Sequence, residues 1–159
     1  SHMRTTRELA KEDTHNTLVQ NLQELLVKNY DAHKGFIKAF KESKDHDLKE
    51  HLKLRAFLHQ RNANEIDKLI HSLNATPLEE GSTVGRFHRI WMDVMIALSG
   101  HDDKTILQEC IRGQKATLNE YREKLKNHKF PQEIKEILKK HLLELELSLE
   151  DVKTIKDIK

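Results

Sequence analysis

Four amphipathic segments of this chain carry apolar stripes that polar residues break near the middle. Asn29 and His33 break the first, His59 and Asn62 the second, Gln114 and Thr117 the third, His141 and Glu144 the fourth. In an antiparallel bundle these residues meet at one level, which is where four-helix proteins hold metal ions. A di-iron site of that kind takes Glu from each of two helices and a Glu-x-x-His pair from each of the other two. The carboxylates neutralise and bridge the ions, the histidines add neutral nitrogen, and the three-residue step keeps both ligands on one helix face. None of the four stripes carries Glu-x-x-His; the nearest match, His141-x-x-Glu144, is reversed. Asn29 and Gln114 stand where carboxylates would be expected. An amide has the shape of a carboxylate without its charge, so it binds a hard cation weakly and hydrogen-bonds well.

Two readings of these residues follow. In the first, Asn29, His33, His59, Asn62, Gln114, Thr117, His141 and Glu144 form a buried polar layer that satisfies itself and sets helix register at some cost in stability. In the second, a single transition-metal ion is held by His33, His59, His141 and Glu144, with no regular di-iron chemistry. The first needs no cofactor. Arg55 also falls on the inner stripe of the second segment.

The elements that must position this layer are legible from periodicity. Leu18, Leu22, Leu25, Asn29, Ala32, Phe36 and Ala39 recur at three- and four-residue steps, which predicts a helix from about Thr14 to Ser43, capped by Asp13 or Thr14. Asp45 restarts a second helix with Leu48, Leu52, Ile66, Leu69 and Leu73 inward. The turn between them is short, so the two are antiparallel neighbours. Pro77 and Glu79-Glu80-Gly81-Ser82 then form a loop, followed by a short helix with Phe87, Ile90, Trp91, Val94, Met95 and Leu98 on one side and Gly100 at its end. A connection of this length can travel the length of the bundle, so one long crossover is expected. Asp102 or Asp103 caps the third long helix, which carries Leu107, Cys110, Gln114, Thr117, Tyr121 and Leu125. Pro131 suits the first turn of the fourth, with Ile134, Leu138, His141, Leu145, Ser148, Val152 and Ile155 inward. The crossover helix should bury Trp91 and Leu98, and Gly113, in mid-helix, should admit a close neighbour such as Trp91.

Bulk properties agree with an all-α domain over 13–159. Five Gly and two Pro in 159 residues are too few for a turn-rich β fold. Residues 1–12, opening Ser1-His2-Met3, read as a vector scar and flexible N-terminus. The net charge is +2 with both signs interspersed, which is no nucleic-acid footprint. There is no apolar run long enough to span a membrane. The single cysteine, Cys110, cannot pair within the chain and reads as a small core hydrophobe, so a cytoplasmic location is expected. The eleven histidines are dispersed. No phosphate loop, Cys-x-x-Cys pair or nucleophilic triad is present. Phe40, Phe57, Ile70 and Ile111 lie off the main stripes; they are flank positions of the core or, if several cluster outside, the contact of a homodimer.

The segment Gly81-Ser82, His88-Arg89, Trp91-Met92, Ala97-Leu98-Ser99-Gly100, Asp102-Asp103, Ile106-Leu107 and Glu109-Cys110, with Gly113 and Tyr121 beyond, is a connected pattern. It resembles a bacterial family of ferritin-like four-helix-bundle proteins, a domain of unknown function. Asp31-Ala32-His33-Lys34-Gly35-Phe36 is similar to that family's first helix, and the resemblance runs from about Leu18 to Ile158. The family usually has Glu where this chain has His33 and Gln114. The resemblance thus implies a ferritin-like antiparallel four-helix bundle with a crossover helix, and brings no activity. The expected function is non-enzymatic, through an unknown protein partner or self-association as a homodimer. The alternative is a metal- or ligand-binding ferritin-like protein with oxidative chemistry.

Overall fold

The computed structural model describes residues 5–82 and 88–158, without the side chains of residues 88 and 89. The described residues are all-helical: α1 Thr6–Glu42, α2 His46–Ser72, α3 His88–Leu98, α4 Asp103–Asn127 and α5 Gln132–Asp151, followed by a 3-10 turn Ile155–Asp157. Phe87 and the Ser1-His2-Met3 opening lie outside the described residues.

Local chemistry sets most of the boundaries. α1 begins at Thr6 rather than at Asp13 or Thr14, because Thr5 caps it by accepting from the Glu8 N–H at 3.1 Å. Residues 5–17 of this extension are exposed. Asp45 and Asp102 cap α2 and α4 through the Leu48 and Thr105 N–H groups. Pro131 is the residue before α5 rather than within its first turn. α5 stops at Asp151, and Val152 and Ile155 reach the core from outside it. Gly100, at φ 76°, lets the chain turn directly from α3 into the cap of α4.

Hydrogen bonds between helices fix the topology. The Asp103 carboxylate accepts from Lys44 N and Asp45 N at 2.9 and 2.8 Å, so the start of α4 lies beside the α1–α2 turn. Near its other end, Lys124 reaches Asn21 and Glu24 of α1. α1 and α4 are therefore antiparallel. Glu65 meets His141 and Arg61 meets Glu144, which makes α2 and α5 antiparallel as well. With α1 pointing up, the order is up, down, crossover, down, up. α3 in the crossover packs across α1 and α4.

The interior is two apolar clusters with polar residues between them. One holds Phe36, Leu48, Leu52, Leu98, Ile106 and Cys110. The other holds Leu22, Leu25, Ile66, Ile70, Leu118 and Leu138. Phe40, Ile70 and Ile111 belong to these clusters or pack on them, whereas Phe57 is 65% exposed.

Trp91, Val94 and Leu98 of α3 are fully buried. Burying an indole of this size contributes a gross transfer of about 4–6 kcal/mol. Its ring fits because α1 and α4 each present a glycine to it, Gly35 and Gly113; a Cβ on Gly113 would meet Trp91 Cη2 at 2.6 Å. The indole N–H donates to Thr117 Oγ1 at 3.0 Å, and the Thr117 hydroxyl donates to the Gly113 carbonyl at 3.1 Å. Gly→Ala in a helix ordinarily stabilises by about 1 kcal/mol. Here Gly113→Ala is expected to destabilise by about 1–3 kcal/mol through overpacking against Trp91. Urea denaturation decides the sign, and a raised midpoint would show that the indole gives way.

Candidate functional site

Between the two apolar clusters a chain of hydrogen bonds passes through all four long helices. Asn29 of α1 is its centre and is fully buried. Its amide nitrogen donates to the Leu25 carbonyl at 2.9 Å and to the Tyr121 hydroxyl at 2.8 Å. The Leu25 carbonyl can only accept, which fixes the orientation of the amide. Asn29 Oδ1 must then accept from His59 Nδ1, 2.9 Å away on α2. Tyr121 of α4, already accepting from Asn29, donates to His141 Nδ1 of α5 at 2.9 Å. His141 Nε2 is left to donate to Glu65 Oε1 of α2 at 3.1 Å. Every donor thus points the same way, from His59 through Asn29, Tyr121 and His141 to the half-buried Glu65 carboxylate. There Lys140 Nζ donates to Glu65 Oε2 at 3.0 Å.

Both histidines in the chain are neutral in this arrangement. His59 Nε2 is a buried lone pair with no hydrogen-bond partner, while the ring stacks on Phe36 at 5.5 Å. Burial drives the His59 pKa well below the usual imidazole value, and Arg55, His141 and His33 push the same way. Burial also lowers His141, against the pull of Glu65. Burial disfavours the Glu65 carboxylate, but Lys140 and His141 hold its pKa below the ordinary range. Burial raises the Tyr121 phenol.

The other candidates are engaged elsewhere. His33 is half-buried, and its Nδ1 donates to the Ala56 carbonyl at 2.9 Å. Asn62 is buried beside Arg61, whose guanidinium donates to Asn62 Oδ1 at 3.3 Å and also pairs with Glu144. Gln114, with its amide oxygen turned toward donors, accepts from Arg55 Nε and Nη2 at 3.0 and 3.2 Å. Thr117 serves Trp91. Burial lowers the Arg55 guanidinium to about 10, with Glu144 opposing and Arg61 adding to the shift. Of His33, His59, His141 and Glu144, only His59 and His141 join the chain, and His141 has both nitrogens committed. Among the described residues no group of three or more His, Cys, Asp and Glu is placed to hold a metal ion.

Tyr121 and Glu65 complete the chain, yet neither stands out in the sequence. Tyr121 sits on the inward stripe as one more aromatic. Glu65 lies beside Ile66, outside the stripe, and reaches His141 only because α5 comes alongside. A second buried polar set lies between α1 and α4. Lys124 pairs with Glu24, lies 3.4 Å from Glu120 Oε1 and donates to Asn21 Oδ1 at 3.2 Å. Lys28 is also buried there; burial lowers its pKa, and Glu120 and Asp31 oppose that shift. Cys110 is a buried thiol whose pKa burial raises, which leaves it unreactive.

Two outcomes follow for stability. Tyr121→Phe strands the His141 Nδ1 acceptor and one Asn29 donor, and is expected to cost about 1–3 kcal/mol in chemical denaturation. His59, His141 and His51, the last lowered to about 4 by burial and by Arg55, all have folded pKa values below the unfolded value. The unfolded chain therefore takes up protons first as pH falls. The stability these groups give is complete above about pH 6.5 and is lost below it, with a slope approaching 1.4 kcal/mol per pH unit for His59 alone (about one proton). Denaturation midpoints measured from about pH 7.5 to 5.5 test this. In His59→Gln the slope should fall by about one proton.

No curated protein and no solved structure matches the chain. Residues 17–127, from the first half-buried turns of α1 to the end of α4, match the family described as Domain of unknown function (DUF2383), and α5 lies beyond that match. The chain is thus a member of the DUF2383 family.

Proposed function

We propose that this protein is a ferritin-like bundle that acts without catalysis, by associating with a second copy through its surface in a bacterial cytoplasm. The up, down, crossover, down, up order supports the ferritin-like assignment, and a lone buried thiol is in keeping with a reducing compartment. The buried chain serves as a register device: its groups are occupied by one another, so chemistry on a substrate or a metal would require breaking it. A metal ion on His33, His59, His141 and Glu144 would need His141 to leave Tyr121 or Glu65, and Glu144 to leave Arg61.

The observation that carries the reading is at the surface. Leu54 and Phe57 of α2 and Leu143 and Leu147 of α5 are each at least half exposed, and they lie on neighbouring helices. Exposed apolar side chains that gather on one face mark an association site. Sedimentation equilibrium over a wide concentration range should show reversible association. Elemental analysis of protein purified without chelator, with a visible spectrum for oxo-bridged iron, tests the rival. A monomer at every concentration carrying stoichiometric metal would replace this reading with the metal-binding one.

A further inference from the structure

Beyond the notch that holds Trp91, α1 and α4 flank a cavity of about 200 Å³ at the last turn of α4. Asn21 of α1 and Glu120 and Lys124 of α4 are its buried lining. Glu24, half-buried, and Glu123 and His128, both exposed, line it nearer the solvent.

Two buried atoms of this lining have no hydrogen-bond partner. One is a donor, Asn21 Nδ2, and the other an acceptor, Glu120 Oε1. The residues that carry them are only 6% and 2% exposed. Lys124 Nζ donates to Asn21 Oδ1 at 3.2 Å and to Glu24, and lies 3.4 Å from Glu120 Oε1. An ammonium can only donate, so Asn21 turns its oxygen to Lys124 and its nitrogen is the atom left over. Both unpaired atoms thus belong to residues gathered around one ammonium, within reach of a single small molecule.

The cavity favours positive charge. Glu24, Glu120 and Glu123 face Lys124 and His128, so the lining stays negative even with the imidazole protonated. The last turn of α4 adds the negative end of a helix dipole. Burial raises the Glu120 pKa although Lys124 and Lys28 act against it, as befits a carboxylate short of positive charge. A metal ion does not suit the place: Lys124 already pairs with both Glu24 and Glu120, and among the described residues no group of three or more His, Cys, Asp and Glu is placed to hold one. Water can serve the two unpaired atoms but leaves the excess charge unmet, and a cavity of this size admits roughly six heavy atoms.

We infer that this cavity binds a small primary ammonium compound with a neighbouring hydroxyl, the amino-alcohol class. The ammonium donates to Glu120 Oε1 and Glu123, and the hydroxyl oxygen accepts from Asn21 Nδ2. The inference is independent of the association reading above, because the cavity lies between α1 and α4.

The test is titration of the full chain with ethanolamine hydrochloride in amine-free buffer, followed by amide chemical shifts and calorimetry. Two further probes each lack half of the recognised pattern: ethylamine has no hydroxyl and ethylene glycol no charge. Ethanolamine should bind at about 1 mM or below, with shifts centred on Asn21 and Lys124, and the other two at least about tenfold more weakly. Glu120→Gln should weaken ethanolamine about tenfold or more, Asn21→Leu should erase its advantage over ethylamine, and the exposed Glu133→Gln of α5 should change nothing. Circular dichroism confirms folding, and the comparison of probes on the wild type decides the matter even if a variant does not fold. No binding, equal binding of all three probes, or an unchanged affinity in folded Glu120→Gln would overturn the inference, as would manganese or zinc taking this cavity in place of ethanolamine.

Discussion

Four helices packed along apolar seams can slide by a turn and still bury leucine against leucine. A line of donors and acceptors that must be matched one to one cannot. The amide of Asn29 gives this bundle that constraint. Its nitrogen is committed to Leu25 and Tyr121, its oxygen to His59, and through Tyr121 and His141 the commitment extends to Glu65. A one-turn slip of α2, α4 or α5 would strand several buried polar groups, each costing about 1–3 kcal/mol. The layer need not add net stability to have this effect. Its weight is in making wrong registers worse, the best-attested use of buried polar residues.

The crossover helix depends on the same register. Trp91 occupies a notch that exists only where Gly35 and Gly113 face each other, and its N–H finds Thr117 only if α4 stands at this height. Thr117 and Tyr121 are one helical turn apart on α4. The indole and the phenol are thus positioned by a single element, one serving the crossover and the other the polar layer. Neutral histidines in that layer also make the interior acid-sensitive, because protonation would add a charge to a site with no acceptor to receive it.

The wide use of charge outside the core follows a different rule. Arg61, Glu65, Lys140 and Glu144 bridge α2 and α5 at the surface, where screening leaves individual pairs weak. Their weight lies in fixing the level of one helix against the other, which in turn sets the heights of the exposed Leu54, Phe57, Leu143 and Leu147. Between α1 and α4 the pairs are buried, and Lys28, Glu120 and Lys124 depend on one another far more strongly.

Helix positions, the short turns at Ser43 and Lys129, the long crossover, and the burial of Trp91 and Leu98 were legible in the sequence, because apolar periodicity and caps are local signals. Asn29, His59, Gln114 and His141 stand out in the sequence as polar residues on otherwise mostly apolar stripes, and all four are buried. The early start of α1 was missed because Thr5 and Glu8 offer a cap as good as that at Asp13. The wiring of the layer was decided by tertiary structure alone. Which of two amide atoms meets which imidazole, and that Tyr121 rather than Gln114 hydrogen-bonds to His141, depend on distances of a few tenths of an ångström across helices far apart in the chain. Glu65 enters the chain from off the stripe, and His33 turns to a backbone carbonyl. Hydrophobic patterning specifies which face of a helix is buried; only the packed bundle specifies which polar atom on that face finds a partner.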